Sequence, residues 1–261
     1  EPGVFTEEFA PLQDLERTEG GAPIYPCWYL REGGEPPSSA EGFEPIVLPT
    51  RERVMRIPVP SHWFGKEELL IPMTARPALR VRHWMHILFA NRVAASERWL
   101  RAPAWLRGAR ILWALCRAMI PTPSRVLRAL SAIGRGCSVH PTAVVEGSTL
   151  ERGVRVGAHA VVRFSHVGAG AFIMDGANVS FSTLGRRSTV ATNCSVSFSV
   201  LHEEASASQS LLQLSVLGRK AITTGMGYIT DMKMGGGKVK VRHHGELVSS
   251  EQRFLGAALG H

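Results

Sequence analysis

Cysteine is scarce in this 261-residue chain, with only Cys27, Cys116, Cys137 and Cys194, and no two of them stand at a C-x-x-C or zinc-knuckle spacing. The pattern argues against a disulfide framework and a cysteine-held zinc, and it fits reduced, packed thiols in a cytoplasmic protein. Long apolar runs are missing as well. Arg82, Arg92 and Arg117 interrupt the best candidates before they reach the roughly 18 residues that a bilayer span needs. There is no G-x-x-x-x-G-K-[ST] loop and no dinucleotide-binding glycine pattern, so "GMGYIT" and "GGG" read as turn glycines. No signal-peptide apolar core is visible, and a first residue Glu1 rather than Met fits a processed or trimmed end.

Lysine is rare too, at 5 of the 30 basic residues. Base composition alone can produce such an arginine bias, so the bias says little about a ligand. The net charge of +8 is unevenly placed: residues 1–60 sum to −6, residues 61–135 to +10 and residues 136–261 to +4. A cationic middle segment can attract phosphate, anionic lipid or nucleic acid without reading sequence. We expect no nucleic-acid partner.

Three segments follow from texture. Residues 1–60 are rich in Pro, Gly and Glu, as in "REGGEPPSSAEG", and read as irregular, partly mobile chain. Residues 61–135 form a basic helical region. There "PAWLRGARILWALCRAMIP" sets Trp105, Leu106, Ile111, Leu112, Leu115, Cys116 and Met119 at helical spacing until Pro121, and "PSRVLRALSAIG" offers Ser124 as N-cap and Gly134 as stop. Arginines fall on the opposite face of both helices. The reading adopted is that these helices pack on the neighbouring domain, with membrane-surface contact as the alternative.

From residue 136 to 261 the pattern is a tight repeat. Phe164, Phe181 and Phe198 each precede a Ser and recur at one constant spacing. That period is below about 20 residues, too short for a helical or blade repeat. Aliphatic residues recur in steps of six, five and six, from Val139, Val145 and Leu150 through Val190, Val196 and Leu201, with small residues Ala143, Ala160, Ala177 and Cys194 between. Three short extended sides per round, each pairing with its copies in the adjacent rounds, predict an all-β triangular solenoid. The phenylalanines should then stack on an outer face as an apolar ladder. After Leu201 the register loosens, and "HEEASASQS" reads as a loop ejected from a coil. "SVLGRKAIT" resumes the repeat, and "GGGKVKVRHHGELV" suggests a hairpin at His244-Gly245. The final "FLGAALGH" reads as the first side of another coil, from which a continuation past His261 is expected.

The stretch "VHPTAVVEGSTLERGVRVGAHAVV" resembles the hexapeptide-repeat, left-handed β-helix acyltransferases, including the UDP-N-acetylglucosamine acyltransferases and the sugar O-acetyltransferases. The resemblance is close over residues 136–201 and looser to 261. It implies a left-handed parallel β-helix, to which the helical and irregular residues 1–135 are an N-terminal extension that the resemblance does not cover, and a homotrimer with its sites between subunits. It also implies acyl transfer from acyl-CoA or acyl carrier protein, as co-substrate rather than bound cofactor, to a small-molecule or sugar-like acceptor. The nucleotidyltransferase signature that some β-helix enzymes carry in front is absent, which disfavours a sugar-nucleotide pyrophosphorylase. The Phe ladder is expected to be covered either by a trimer contact or by the N-terminal helices of the same chain.

Such an enzyme needs one His as general base and an oxyanion donor. His166 is the first candidate, an odd member of a column whose other members are Thr149, Thr183 and Val200. His202, beside Glu203 and Glu204, is the second, since a carboxylate can orient an imidazole. His159 is the third, while His140 in "VHPTA" reads as structural. Arg186, Arg187, Arg219 and Lys220 follow Leu-Gly at equivalent turns and are candidates for the phosphates of CoA or a nucleotide-sugar, with Lys233, Lys238 and Lys240 downstream. A non-catalytic scaffold or binding module is the runner-up. A metal-dependent enzyme like the γ-class carbonic anhydrases is a further alternative; its H-x4-H ligand pair is missing, and His243-His244, adjacent on a strand, should face opposite ways. No metal ligands are assigned.

Overall fold

The computed structural model describes residues 10–27, 46–47, 52–58, 68–74, 78–100, 104–118, 122–208, 211–225, 227–229, 231, 233 and 237–260. The chain divides into two compact units, residues 1–82 and 83–261.

The first unit holds two antiparallel strand pairs. Glu16–Arg17 pairs with Pro23–Ile24, and the turn is tied by Thr18, whose Oγ1 accepts the Ala22 N–H at 3.1 Å. Glu52–Pro58 pairs with Glu68–Thr74 along its whole length. The boundary read at residue 60 therefore falls between the two strands of one pair. Pro58 and Pro72 hid these strands, because proline is uncommon in a strand except where it is not called on to donate, as in a two-stranded ribbon. The "REGGEPPSSAEG" stretch lies outside the described residues.

In the second unit three helices precede a parallel β-solenoid. They are α1 (Trp84–Leu100), α2 (Ala104–Ala118) and α3 (Pro123–Ala129). Helix α3 begins two residues earlier than read, with Thr122 as N-cap and Pro123 at the first turn, where its missing N–H costs nothing. It ends well before Gly134, because Ala132–Ile133 already joins the solenoid.

The solenoid has three faces. The first is built from Ala132–Ile133, Thr149–Leu150, His166–Val167, Thr183–Leu184, Val200–Leu201, Val216–Leu217 and Ala258–Leu259. The second runs from Ser138–Val139 to Ile222–Thr223, and the third from Val144–Glu146 to Tyr228–Ile229. Every strand pairs in parallel with its copies, so Val162 lies between Val145 and Val179, one full coil to either side. The aliphatic residues of the repeat line the interior: Leu150, Val162, Val167, Ile173, Val179, Leu184, Val190, Val196 and Leu201 are buried, with Ala160, Ala177 and Cys194 filling the corners. The all-β solenoid with a helical extension is thus the fold observed.

The Phe-Ser pair is explained by one corner. Gly147, Phe164, Phe181, Phe198 and Leu214 occupy successive coils at the turn from third to first face, all with positive φ. The left-handed conformation is uncommon for a bulky residue and costs on the order of 1–2 kcal/mol at each. Stacking offsets part of this: the Phe164 and Phe181 rings lie 5.0 Å apart and those of Phe181 and Phe198 4.9 Å apart, nearly parallel in each case. The Ser that follows turns inward. Ser148, Ser165, Ser182, Ser199 and Ser215 are all buried. Each Oγ donates to the carbonyl two residues before it and accepts the N–H of the residue one coil up the stack, at 3.1 Å in every link.

Over residues 202–208 the segment "HEEASASQS" is not ejected, and its last two residues lie outside the described residues. Ser206–Ala207 is a second-face strand paired with Thr189–Val190, and Ala205 and Ala207 are buried. Alanine at the aliphatic positions hid the strand, and so did a shortened coil: Val200 pairs with Val216 and Ser195 with Leu211, a spacing one less than in the coils before. The hairpin forms as read, Lys240–His243 against Glu246–Ser249 with His244 and Gly245 both at positive φ in the turn. It belongs to a long excursion, after which Ala258–Leu259 returns to pair with Val216–Leu217.

Candidate functional site

His166 opens a strand of the first face, between Thr149 and Thr183. Its Nε2 lies 3.3 Å from Oε1 of Glu151, which stands two residues past Thr149 on the adjacent coil and so shares the outer side of the face. The other carboxylate oxygen of Glu151 accepts the Ala169 N–H at 2.9 Å. One carboxylate is therefore fixed by the backbone and fixes the imidazole in turn, the arrangement that selects a tautomer and stabilises an imidazolium. Both side chains are partly exposed, so solute can reach them.

The neighbouring position is tied to a helix. The Thr183 hydroxyl donates to Oδ1 of Asn91 at 2.6 Å, and Nδ2 of Asn91 donates to the Phe181 carbonyl at 3.2 Å. Asn91 is nearly buried on α1, which buries Met85, Leu88 and Phe89 and packs on the strands at Val200 and Val216. The Phe ladder flanks this site and is only half covered, with Phe181 41% and Phe198 39% exposed.

Sequence reasoning missed Glu151 and Asn91. The signal for Glu151 was present. Its column otherwise holds Gly134, Gly168, Gly185, His202 and Gly218, and a Cβ at Gly168 or Gly185 would come within 2.8 Å of the next coil's backbone. An acid in a glycine column is an exception that asks for a reason. Asn91 gave none, because its contact depends on how the helix docks.

The other candidates lie elsewhere on the coil. His202 is exposed just past the last residue of a first-face strand. The carboxylates expected to orient it are engaged by cations: Glu203 by Arg186 and Arg187, Glu204 by Arg187 and Lys220. Arg187, Glu204 and Lys220 stack in one column, all at positive φ. The hydrogen bond from Arg187 is the largest influence holding the Glu204 carboxyl below its usual range, and that same bond raises the guanidinium. Arg186, Arg187 and Lys220 thus form an ion-pair ladder at the corner between first and second faces, and Arg219 sits beside it in sequence.

His159 occupies the corner between second and third faces at positive φ, its N–H donating to Oγ1 of Thr142 at 2.9 Å. The third-face strand Val161–Arg163 separates it from His166. His140 accepts locally from Thr142. His243 and His244 do not face opposite ways: the left-handed turn at His244 brings their rings to 4.1 Å, tilted by 55°. The thiols differ from the packed set expected, since Cys194 is buried and Cys137 partly so, while Cys27 and Cys116 are exposed. Among the described residues no helix is long and apolar enough to cross a membrane.

No protein-family model matches the chain, and no curated protein matches it.

Proposed function

We propose that the solenoid is an acyltransferase that moves an acyl group from a CoA or carrier-protein thioester to a hydroxyl or amine, with His166 as general base. The observation that carries this reading is the Glu151–His166 pair on an outer face of a β-helix, a fold compatible with the hexapeptide-repeat acyltransferases. In this scheme the acceptor oxygen or nitrogen bonds to the thioester carbonyl carbon while His166 takes its proton. The tetrahedral intermediate then expels the thiolate, which leaves as the thiol with the proton from the imidazolium. Glu151 is a positioning residue. In the same proposal three copies assemble in the cytoplasm, and the exposed Phe ladder meets a neighbouring copy beside each site. The phosphates of CoA would be held at Arg219 and, after displacement of Glu203 and Glu204, at Arg186, Arg187 and Lys220.

The test is thiol release from acetyl-CoA and acyl carrier substrates against a panel of sugar and amine acceptors. His166→Ala is expected to lower turnover roughly a hundredfold or more. Glu151→Gln should move the acid limb of the pH–rate profile to lower pH, since it removes the charge that favours the imidazolium. A second reading, a non-catalytic scaffold, is favoured by the scatter of His159, His166 and His202 over different parts of the coil. No transfer at all from a folded protein would select the scaffold, whereas transfer unaffected by His166→Ala and His202→Ala would remove both residues from the role of base.

A further inference from the structure

Helix α2 turns its apolar side outward. Trp105 is 74% exposed and Leu112 63%, Ile111 and Leu115 are also exposed, and Ala114 is fully buried. Trp105, Leu112 and Leu115 fall at helical spacing on one side of the helix, with Gly108, Ala109 and Cys116 exposed among them. The expectation that this helix packs its apolar face on the neighbouring domain is therefore overturned: the face it buries is the narrow one around Ala114. Soluble proteins rarely leave a contiguous apolar stripe uncovered.

Charge says what covers it. From Arg98 to Val145 the chain carries eight arginines, Arg98, Arg101, Arg107, Arg110, Arg117, Arg125, Arg128 and Arg135, and no acidic residue. Arg107, Arg110 and Arg117 take register positions on the Ala114 side of α2, away from Trp105 and Leu112. Arg125, Arg128 and Arg135, on and after α3, are exposed. A second copy of the same helix would bring like charges together, with no acid to relieve them. An anionic lipid surface offers both complements at once, an acyl boundary for Trp and Leu and phosphates for Arg. At 15 residues the helix is too short to span a bilayer but suits lying in its surface.

We propose that α2 is an interfacial anchor that seats this protein on an anionic membrane, Trp105, Ile111, Leu112 and Leu115 entering the headgroup–acyl boundary and the exposed Arg125 and Arg128 of α3 holding lipid phosphates. The proposal is independent of the acyltransferase reading, because it uses no residue of the His166 site.

The test is co-sedimentation of the full chain with vesicles of phosphatidylcholine alone and of phosphatidylcholine mixed with phosphatidylglycerol. Binding is expected to the anionic vesicles, to weaken as salt rises, and to fall about fivefold for each of Arg125→Gln and Arg128→Gln. Leu112→Glu, at an exposed position that the fold does not need, should abolish binding while leaving the circular dichroism and melting temperature unchanged. A blue shift of tryptophan emission on anionic vesicles, absent in Trp105→Phe, would place that ring in the boundary. Equal binding to neutral and anionic vesicles, or none to either, overturns the proposal. So does a concentration-dependent oligomer in ultracentrifugation that Leu112→Glu dissolves without any vesicle binding, which would assign the face to a second copy. Vesicle binding unchanged by Leu112→Glu would also overturn it.

Discussion

His83, just ahead of α1, is made a weaker base by its surroundings. Its Nδ1 accepts the Met85 N–H, its Nε2 faces the Arg242 carbonyl at 3.3 Å, and its own N–H donates to Nδ1 of His86 at 3.0 Å. This is a capping box made of two histidines. Desolvation, and then the neighbouring His86 and His243, push the His83 pKa below the ordinary value, against an upward pull from the Arg242 carbonyl. The unfolded chain thus binds the proton more readily, so stability rises with pH between the folded and the ordinary histidine values and is lost as pH falls through that window. Melting temperatures across mildly acidic pH should show this slope, and His83→Asn should flatten it. His83 could not be recognised as a cap from sequence, since histidine is not a usual capping residue. His166 could be singled out, because it breaks a column of small residues, yet its partner Glu151 sits one coil away and becomes a neighbour only when the coils stack.

Among the elements, the serine ladder bears most directly on how the coils hold together. Its Oγ atoms satisfy N–H groups that the tight corner removes from the regular ladder, and every link is buried. Ser182→Ala leaves the Ser199 N–H without that acceptor, at a cost of about 1–3 kcal/mol; urea unfolding should report a lower midpoint with an unchanged slope. Ser182→Thr should lose less if the added methyl fits. The repeat of Phe and Ser was plain in the sequence, but which of the pair faced inward was decided by the backbone. A left-handed turn at Phe aims the following Ser into the core. Helix α2 was legible as amphipathic and still misread, because periodicity gives the apolar side of a helix and not the side its neighbours cover.

At the scale of the whole molecule, a solenoid's stability is a sum over neighbouring coils, so the same change costs different amounts along its length. Leu184→Ala, fully buried in a central coil with Val167 below and Leu201 above, should destabilise by about 2–5 kcal/mol. Val139→Ala, half-buried in the first coil, should cost about 1 kcal/mol or less. Calorimetry or denaturant titration of the two variants checks the contrast. The first coil is guarded by α3, whose Leu127 carbonyl accepts the Gly147 N–H at 2.9 Å, as Glu146 does for Phe164 and Arg163 for Phe181 in the coils above. At the far side of Val216–Leu217 the next first-face strand, Ala258–Leu259, returns only after the hairpin excursion, whereas each earlier first-face strand returns after a single coil. Closing the longer loop costs only about 0.8 kcal/mol more in chain entropy. Its larger effect is on timing: the early coils can zip one onto the next as local events, while Ala258–Leu259 must wait for the excursion to find its place. Until then the edge at Val216–Leu217 stands open to any strand that arrives first.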